Sequence, residues 1–134
     1  MNKEKSLKVI LKLTSIFLFY FVLLFVFITW DLNQTNSILE EGTTLGNLII
    51  RYPYQWDFEL FFAGLFLVWG ISLWKSSKDV GKNSLMIGFT GWAFLVHAIT
   101  MLIVGITKTE VLTHLATDSI PWFIFGILIL SFQK

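Results

Sequence analysis

Long uncharged apolar stretches constrain this chain more than any other feature, because few environments other than a lipid bilayer accommodate them. Residues 13–30 carry no charge, and residues 84–107 contain no Asp, Glu, Lys or Arg. At about 1.5 Å of rise per helical residue, residues 84–107 can cross a hydrocarbon core about 30 Å thick, and so can the segment around residues 13–30. The sequence therefore predicts an all-α integral membrane protein, a single domain (1–134) with four transmembrane helices at about 7–30, 58–74, 84–107 and 111–132.

Composition and charge narrow the class further. The chain has 134 residues, 55% of them hydrophobic, which leaves room for about four spans and short loops. A net charge of +1 without a dense basic stripe beyond the N-terminus argues against a nucleic-acid partner. Since the chain lacks cysteine, it has no disulfide, thiolate metal site or cysteine nucleophile. No arrangement typical of a hydrolase is present, so no catalytic residues are predicted.

Two of the four segments are short. Their uncharged parts, residues 60–74 and 119–133, are each 15 residues long and reach only about 22 Å as helices. To cross the bilayer, the second and fourth helices must carry Glu59 and Asp118 into it, unless the membrane thins or loops dip inward. Both carboxylates are therefore predicted to lie within the bundle.

The lysines predict the orientation of the spans. An N-terminus in the cytoplasm leaves only Arg51 and Lys108 outside, and it places the other eight basic residues inside: Lys3, Lys5, Lys8, Lys12, Lys75, Lys78, Lys82 and Lys134. Basic residues are enriched in cytoplasmic loops, so both termini are predicted to be cytoplasmic. The apolar run after Lys12 lacks a small-residue cleavage pattern, which indicates an uncleaved anchor.

The longest connection, residues 31–57, would then be an outer loop. It contains the helix breakers Gly42, Gly46 and Pro53, but also several aliphatic residues that a solvated linker does not need. An ordered loop packed on the helix ends is one interpretation. The other is a short amphipathic piece that lies over the mouth of the bundle.

Three ionisable residues are predicted to lie at one depth. Counted from basic residues at the cytoplasmic ends, Glu59 is 75 − 59 = 16 residues away, His97 is 97 − 82 = 15, and Asp118 is 134 − 118 = 16. At about 1.5 Å per residue, each lies roughly 22–24 Å from the inner surface, in the outer part of the membrane. Ionisable groups there must pair, bind something or contact water. This layer, with His114 above it, is the candidate polar site.

His114 and Asp118 have the spacing i, i+4 and would share one face of a continuous helix. A histidine with a carboxylate suits a divalent metal ion, and Glu59 and His97 would complete a set of four ligands. The same pair also serves as a simple hydrogen-bonded couple. If instead Ser119 caps the fourth helix ahead of Pro121, residues 111–117 form a separate short helix and His114 points elsewhere.

His97 lies deep in a long apolar span, with Thr100 as its polar neighbour. A structural role is a neutral imidazole that hydrogen-bonds across helices, for example to Glu59. A functional role is a metal or haem ligand, or a member of a proton relay. Both interpretations stay open at the level of sequence.

Glycines and tryptophans favour structural interpretations. Six glycines are expected to bring helix backbones close together: Gly64, Gly70, Gly88, Gly91, Gly105 and Gly126. Four tryptophans are expected in the interfacial belts: Trp30, Trp56, Trp74 and Trp122, the last near the start of the uncharged stretch 119–133.

Several stretches resemble an uncharacterised family of small bacterial four-span membrane proteins. The similar stretches are residues 7–10, 70–74, 83–92, 97–101 and, with a weaker fit, 114–118. The resemblance covers most of the chain after about Glu59, whereas the outer loop is not distinctive. It implies a bacterial inner-membrane location and four spans, and it supplies no activity or ligand set. Residues 75–80 depart from the family, whose turn commonly contains proline, so the geometry of this turn is not implied.

Three functions remain as alternatives. In the first, the outer-leaflet site of Glu59, His97, His114 and Asp118 binds an ion, haem, quinone or lipid-like ligand. In the second, the protein is an accessory or structural subunit, alone or in a membrane complex, and these groups only tie helices together. In the third, it is a small dimeric proton-coupled transporter with Glu59 as proton carrier, although transporter sites usually lie nearer the midplane than Glu59 does.

Overall fold

The computed structural model describes residues 2–33, 37–39, 55–107 and 119–133. In these ranges the chain forms four helices and no strand: α1 (Lys3–Leu32), α2 (Trp56–Ser76), α3 (Ser84–Thr107) and α4 (Ile120–Gln133). The prediction of an all-α fold with four helices is confirmed at this level.

Helix α1 begins with a polar cap. The side chain of Asn2 accepts a hydrogen bond from the backbone N–H of Glu4 at 3.0 Å, which satisfies one of the donors that a helix N-terminus leaves unpaired. The carboxylate of Glu4 also pairs with Lys8 one turn later, at 2.6 Å. The helix therefore starts four residues before the predicted apolar segment, and its first turns carry the N-terminal lysines.

Helix α1 continues to Leu32, past Asp31, where the outer loop was predicted to begin. Asp31 lies in its last turn and is only 5% exposed. The carboxylate accepts hydrogen bonds from the hydroxyl of Ser37 at 2.6 Å and from the backbone N–H of Leu39 at 3.1 Å. Asp31 is thus a buried anchor that folds the chain after α1 back onto the helix end, because its charge finds donors there.

A short turn, residues 77–83, joins α2 to α3. Asp79 organises it: the side chain accepts from the backbone N–H of Lys82 at 3.0 Å, and the backbone carbonyl accepts from the amide of Asn83 at 2.7 Å. These local bonds let the chain reverse direction without proline. Consequently the end of α2 and the start of α3 lie at the same end of the molecule.

The four helices are arranged as a ring in chain order. Helix α1 packs extensively on α2, and α3 on α4, whereas the contact between α1 and α4 is smaller and that between α2 and α3 is slight. The bundle therefore consists of two well-packed pairs with one thin seam, which runs between α2 and α3.

Close packing within each pair depends on glycine. The hydroxyl of Ser15 on α1 donates to the backbone carbonyl of Gly70 on α2 at 2.7 Å, a buried contact between helices. On the other side, a Cβ at Gly126 would lie 3.0 Å from the backbone oxygen of Gly91, so α3 and α4 approach closely there. The expectation that the glycines lie at helix contacts is confirmed for Gly70, Gly88, Gly91 and Gly126. It is wrong for Gly64, where a Cβ would meet no other described helix within 4 Å.

Polar contacts show which helix ends lie together. The ammonium of Lys12 on α1 lies 5.8 Å from the ring centre of Trp74, near the end of α2, and the amide of Gln133 at the end of α4 donates to the carbonyl of Ser84 at 2.6 Å. We call this end of the bundle, with the start of α1, the turn 77–83 and the end of α4, the lysine end. At the opposite, acidic end lie Asp31, Asp57 and Glu59.

Helices α1, α2 and α3 are long and apolar enough to cross a membrane. The described part of α4 has 14 residues, about 21 Å, and is shorter than such a span. Pro121 occupies its first turn, where a missing backbone N–H costs nothing. The rest of the predicted fourth span, residues 111–118, lies outside the described residues.

Candidate functional site

Trp122 lies at the centre of the bundle. Its ring contacts one phenylalanine or more from each of the other three helices: Phe94 at 4.6 Å between ring centres, Phe17 and Phe66 at 5.4 Å, and Phe21 at 5.6 Å. The side chain is only 3% exposed. The prediction that Trp122 belongs to an interfacial belt is therefore wrong, because its position near the end of a segment did not reveal that it faces inward.

His97 faces this aromatic centre. Its imidazole ring lies 4.9 Å from the ring of Trp122, and the side chain is partly buried. His97 lies on α3 about one turn beyond Phe94, which also packs on Trp122. The imidazole is thus held between helices, where it can hydrogen-bond or bind a ligand, as both interpretations of the sequence require.

Glu59 occupies the first turn of α2, together with Asp57. Its backbone N–H donates to the carbonyl of Gln55 at 3.2 Å, and its side chain is partly exposed. Two carboxylates in a first turn are favoured by the partial positive charge of a helix N-terminus. This gives Glu59 a structural role at the acidic end, independent of any ligand.

The other two predicted site residues, His114 and Asp118, lie outside the described residues. Within the part of the chain that is described, no group of three or more His, Asp or Glu side chains could hold a metal ion. The four-ligand site of Glu59, His97, His114 and Asp118 therefore stays a prediction.

A cleft that the sequence did not predict opens between α3 and α4 towards the acidic end. It has a volume of about 220 Å³, and apart from one serine its lining is apolar. The lining residues are Ala98, Ile99 and Leu102 of α3, and Ser119, Ile120, Phe123 and Ile124 at the start of α4.

Ser119 is the unusual residue of this cleft. It is 6% exposed, and its Oγ is buried and has no hydrogen-bond partner among the described residues. Among the described residues it makes no capping hydrogen bond, so the alternative in which Ser119 caps the fourth helix gains no support from this hydroxyl. Burying a hydroxyl without a partner costs on the order of 1–3 kcal/mol, so this atom can gain from a ligand that hydrogen-bonds to it.

A sequence signal for the cleft exists in retrospect. Ala98 lies 98 − 82 = 16 residues from Lys82, and Ser119 lies 134 − 119 = 15 residues from Lys134, so two small residues share one depth on neighbouring helices. Small side chains that do not meet leave space between helices. The charged residues predict this layer, but they do not reveal the two small residues, which directly follow His97 and Asp118.

The architecture defines the class of this molecule as a small all-α bundle, most of whose helices have the length and hydropathy of membrane spans. A model for a family of unknown function, DUF6632, matches residues 47–133, and the chain belongs to this family. No curated protein and no solved structure matches the chain. Membership of an uncharacterised family was implied by the resemblance, and it is confirmed at that level.

Proposed function

We propose that the protein is an integral membrane protein whose α3–α4 cleft binds a small amphiphilic ligand in the outer leaflet. Membrane insertion is supported by the surface of the bundle. Large apolar side chains are exposed on all four helices, among them Leu23, Phe61, Val96 and Phe123. Water-soluble monomers rarely expose such extensive apolar surface, whereas lipid chains cover it without cost.

The orientation we propose places the lysine end in the cytoplasm of a bacterial cell, with the two chain termini on that side. Seven lysines of the described residues lie at or near this end: Lys3, Lys5, Lys8, Lys12, Lys75, Lys78 and Lys82. The acidic end carries Asp31, Asp57 and Glu59. Retention of basic residues on the cytoplasmic side would fix this orientation during insertion.

The unpartnered hydroxyl of Ser119 is the observation that carries the ligand proposal. A single buried hydroxyl among apolar side chains suits a ligand with an apolar ring or chain and one hydrogen-bonding group, such as a quinone-like or lipid-like molecule. A bare cation fits the cleft poorly, because the other lining side chains offer it no oxygen or nitrogen. Among the ligands considered from the sequence, the cleft thus favours the amphiphilic ones over an ion.

The predicted polar site adjoins this cleft along the chain. His97 precedes Ala98, which lines the cleft, and Asp118 precedes Ser119. In the proposal, His97, Asp118 and His114 border the polar head of the ligand at the acidic end, while Glu59 lies across the bundle on α2. A metal or haem held by these four residues is the alternative form of the same site.

Identification of co-purifying ligands tests the proposal. The protein is purified in mild detergent, and its extracted small molecules are compared by mass spectrometry with those of the membrane from which it came. We expect one amphiphile to be enriched, and its retention to fall about fivefold in Ser119→Ala, the loss of one hydrogen bond. Leu102→Trp should also displace it by filling the cleft. Because the Ser119 hydroxyl has no partner, its removal should leave thermal stability unchanged or slightly higher.

Thr100→Val is the matched control. Thr100 lies at the same depth on α3, but its hydroxyl bonds to the carbonyl of Val96 within the helix, and it does not line the cleft. This variant should retain the amphiphile. Purified wild-type protein that carries only bulk membrane lipid, or equal retention by all variants, would contradict the proposal.

The accessory function is the second candidate, and specific contacts favour it. Polar side chains tie neighbouring helices at three places: Ser15 to Gly70, Gln133 to Ser84, and the indole N–H of Trp69 to Thr90 at 3.0 Å. A bundle so tied could serve as a scaffold without any ligand. The same mass-spectrometric experiment separates the two functions, because a scaffold retains no particular amphiphile.

A further inference from the structure

A second groove lies between α1 and α4 at the lysine end of the bundle, whereas the α3–α4 cleft lies towards the acidic end. Its volume is about 400 Å³, and its lining residues are Lys5, Ser6, Val9 and Ile10 of α1, and Leu128 and Phe132 of α4. Because α1 and α4 lie antiparallel here, Lys5 and Phe132 mark the outer edge of the groove. Ile10 and Leu128 lie about one turn deeper.

The lining has the chemistry of an amphiphile-binding groove. The ammonium of Lys5 lies at the edge of the groove. Four apolar side chains line the rest of it: Val9, Ile10, Leu128 and Phe132. The hydroxyl of Ser6 already donates to the carbonyl of Asn2 at 3.2 Å, so Lys5 supplies the free polar group of the lining. An apolar chain that ends in an anionic head fits this order of side chains.

Lys5 differs from Lys8 and Lys12, the next two lysines of α1. Lys8 is engaged by the carboxylate of Glu4 at 2.6 Å, and Lys12 lies over the ring of Trp74 at 5.8 Å. Within the described ranges Lys5 has no ion-pair partner. Lys3 likewise has no ion-pair partner there, but it does not line the groove. The ammonium of Lys5 is exposed at the edge of an apolar groove and has no counter-ion among the described residues. It is therefore available to bind the anionic headgroup of a membrane lipid.

The charge of the whole end favours an anionic occupant. Among the described residues it carries seven lysines against Glu4 and Asp79, that is 7 − 2 = +5. Anionic lipid headgroups attract basic residues at a membrane surface by about 1 kcal/mol per residue. A zwitterionic lipid gains much less, because its ammonium group would face this positive field.

We propose that the α1–α4 groove binds an anionic phospholipid, with its phosphate at Lys5 and one acyl chain along Val9, Ile10, Leu128 and Phe132. The inference rests on the proposed membrane insertion, but not on the ligand of the α3–α4 cleft. The bound lipid would lie between α1 and α4, whose contact is smaller than that between α1 and α2. It would thereby stabilise the packing of α4 on the rest of the bundle.

Native mass spectrometry of the full chain in detergent, with added phosphatidylglycerol or phosphatidylcholine, tests this inference. We expect the wild-type protein to retain phosphatidylglycerol preferentially. Lys5→Gln should weaken that retention about fivefold, which corresponds to about 1 kcal/mol, the loss of one direct hydrogen bond between the ammonium and the phosphate. Val9→Trp, which fills the groove from its exposed side, should weaken it by a similar factor or more. Circular dichroism verifies that both variants keep the wild-type helix content.

Lys3→Gln and Lys78→Gln are matched controls, since both remove one lysine from the same end without touching the groove. Each should change retention less than twofold. An equal loss in Lys5→Gln and Lys3→Gln would show diffuse attraction and overturn the proposal, as would equal retention of the two lipids. Ser119→Ala should keep phosphatidylglycerol, which separates this site from the cleft. Carbonate extraction of cell membranes tests insertion separately, since release of the chain would overturn the membrane proposal itself.

Discussion

At the scale of single residues, the orientation of a side chain decides its role more than its position along the segment. Trp122 and Trp92 illustrate this. Both belong to apolar helices, yet Trp122 is 3% exposed at the centre of the bundle, whereas Trp92 is 63% exposed on α3. Trp122 fills the space that the other three helices enclose, so its ring connects α1, α2 and α3.

Truncation of this ring should destabilise the bundle. Trp122→Ala leaves a cavity between four helices, and we expect the free energy of unfolding to fall by about 3–5 kcal/mol. Trp92→Ala removes the same side chain from an exposed position and should cost at most about 0.5 kcal/mol. Unfolding in mixed micelles, followed by circular dichroism, measures both. Equal effects of the two substitutions would contradict the central role of Trp122.

The residue scale also shows where sequence reasoning stops. Counting from lysines gave depth, and it identified the layer of His97. Depth does not give the direction in which a side chain points, so Trp122 was misplaced and the burial of the Ser119 hydroxyl was overlooked. Both errors concern facts set by neighbouring helices, which no periodicity within a single apolar segment reveals.

At the scale of elements, apolar length predicted the helices well and their ends less well. The spans were visible because uncharged stretches are long. Helix α1 continues through Asp31 because Ser37 and Leu39 supply hydrogen bonds that satisfy the buried carboxylate. Because a span was predicted to end at its first charged residue, the prediction could not account for donors that lie several residues further along the chain.

The approach of α3 to α4 gives a prediction at this scale. A Cβ at Gly126 would meet Leu95 at 2.9 Å and the carbonyl oxygen of Gly91 at 3.0 Å. Since a backbone oxygen cannot move aside, Gly126→Ala should separate the helices and cost about 1–3 kcal/mol of stability. Thermal unfolding in detergent measures this cost.

Gly64→Ala is the control for that substitution. A Cβ at Gly64 would have no atom within 4 Å, so alanine there should be neutral or stabilise by up to about 1 kcal/mol through its higher helix propensity. If Gly64→Ala and Gly126→Ala destabilised equally, the cost would come from the helices themselves and not from their packing.

At the scale of the whole molecule, charge is divided between two ends of an apolar body. Lysines collect where α1 begins and where α2 turns into α3, and carboxylates lie where α1 ends and α2 begins. Such a division orients a protein in a bilayer, since basic residues stay on the cytoplasmic side. Long apolar runs in the sequence form the helices, and the short charged runs between them give the two ends of the bundle opposite charge. Both features follow from the alternation of the two kinds of run.

Because the chain contains no cysteine, its orientation can be measured with single cysteines in the otherwise natural protein. Lys78→Cys in the turn 77–83 and Asn33→Cys after α1 both replace exposed residues. In intact cells, a membrane-impermeant maleimide should label Asn33→Cys and leave Lys78→Cys unlabelled until the membrane is opened. The reverse pattern would place the lysine end outside.

The thin seam between α2 and α3 has a consequence for the mechanics of the bundle. The two flanking helices are covalently joined by the turn 77–83, and Trp69 bridges them through Thr90, yet they bury little surface against each other. In the proposed membrane-inserted state, lateral strain in the surrounding leaflet would separate the helices first along this seam, because α2 and α3 contact each other least among neighbouring helices. Such strain would then part the ring contacts of Phe66 with Trp122 and of Trp69 with Phe94, which join the two helix pairs, before it disturbed either pair.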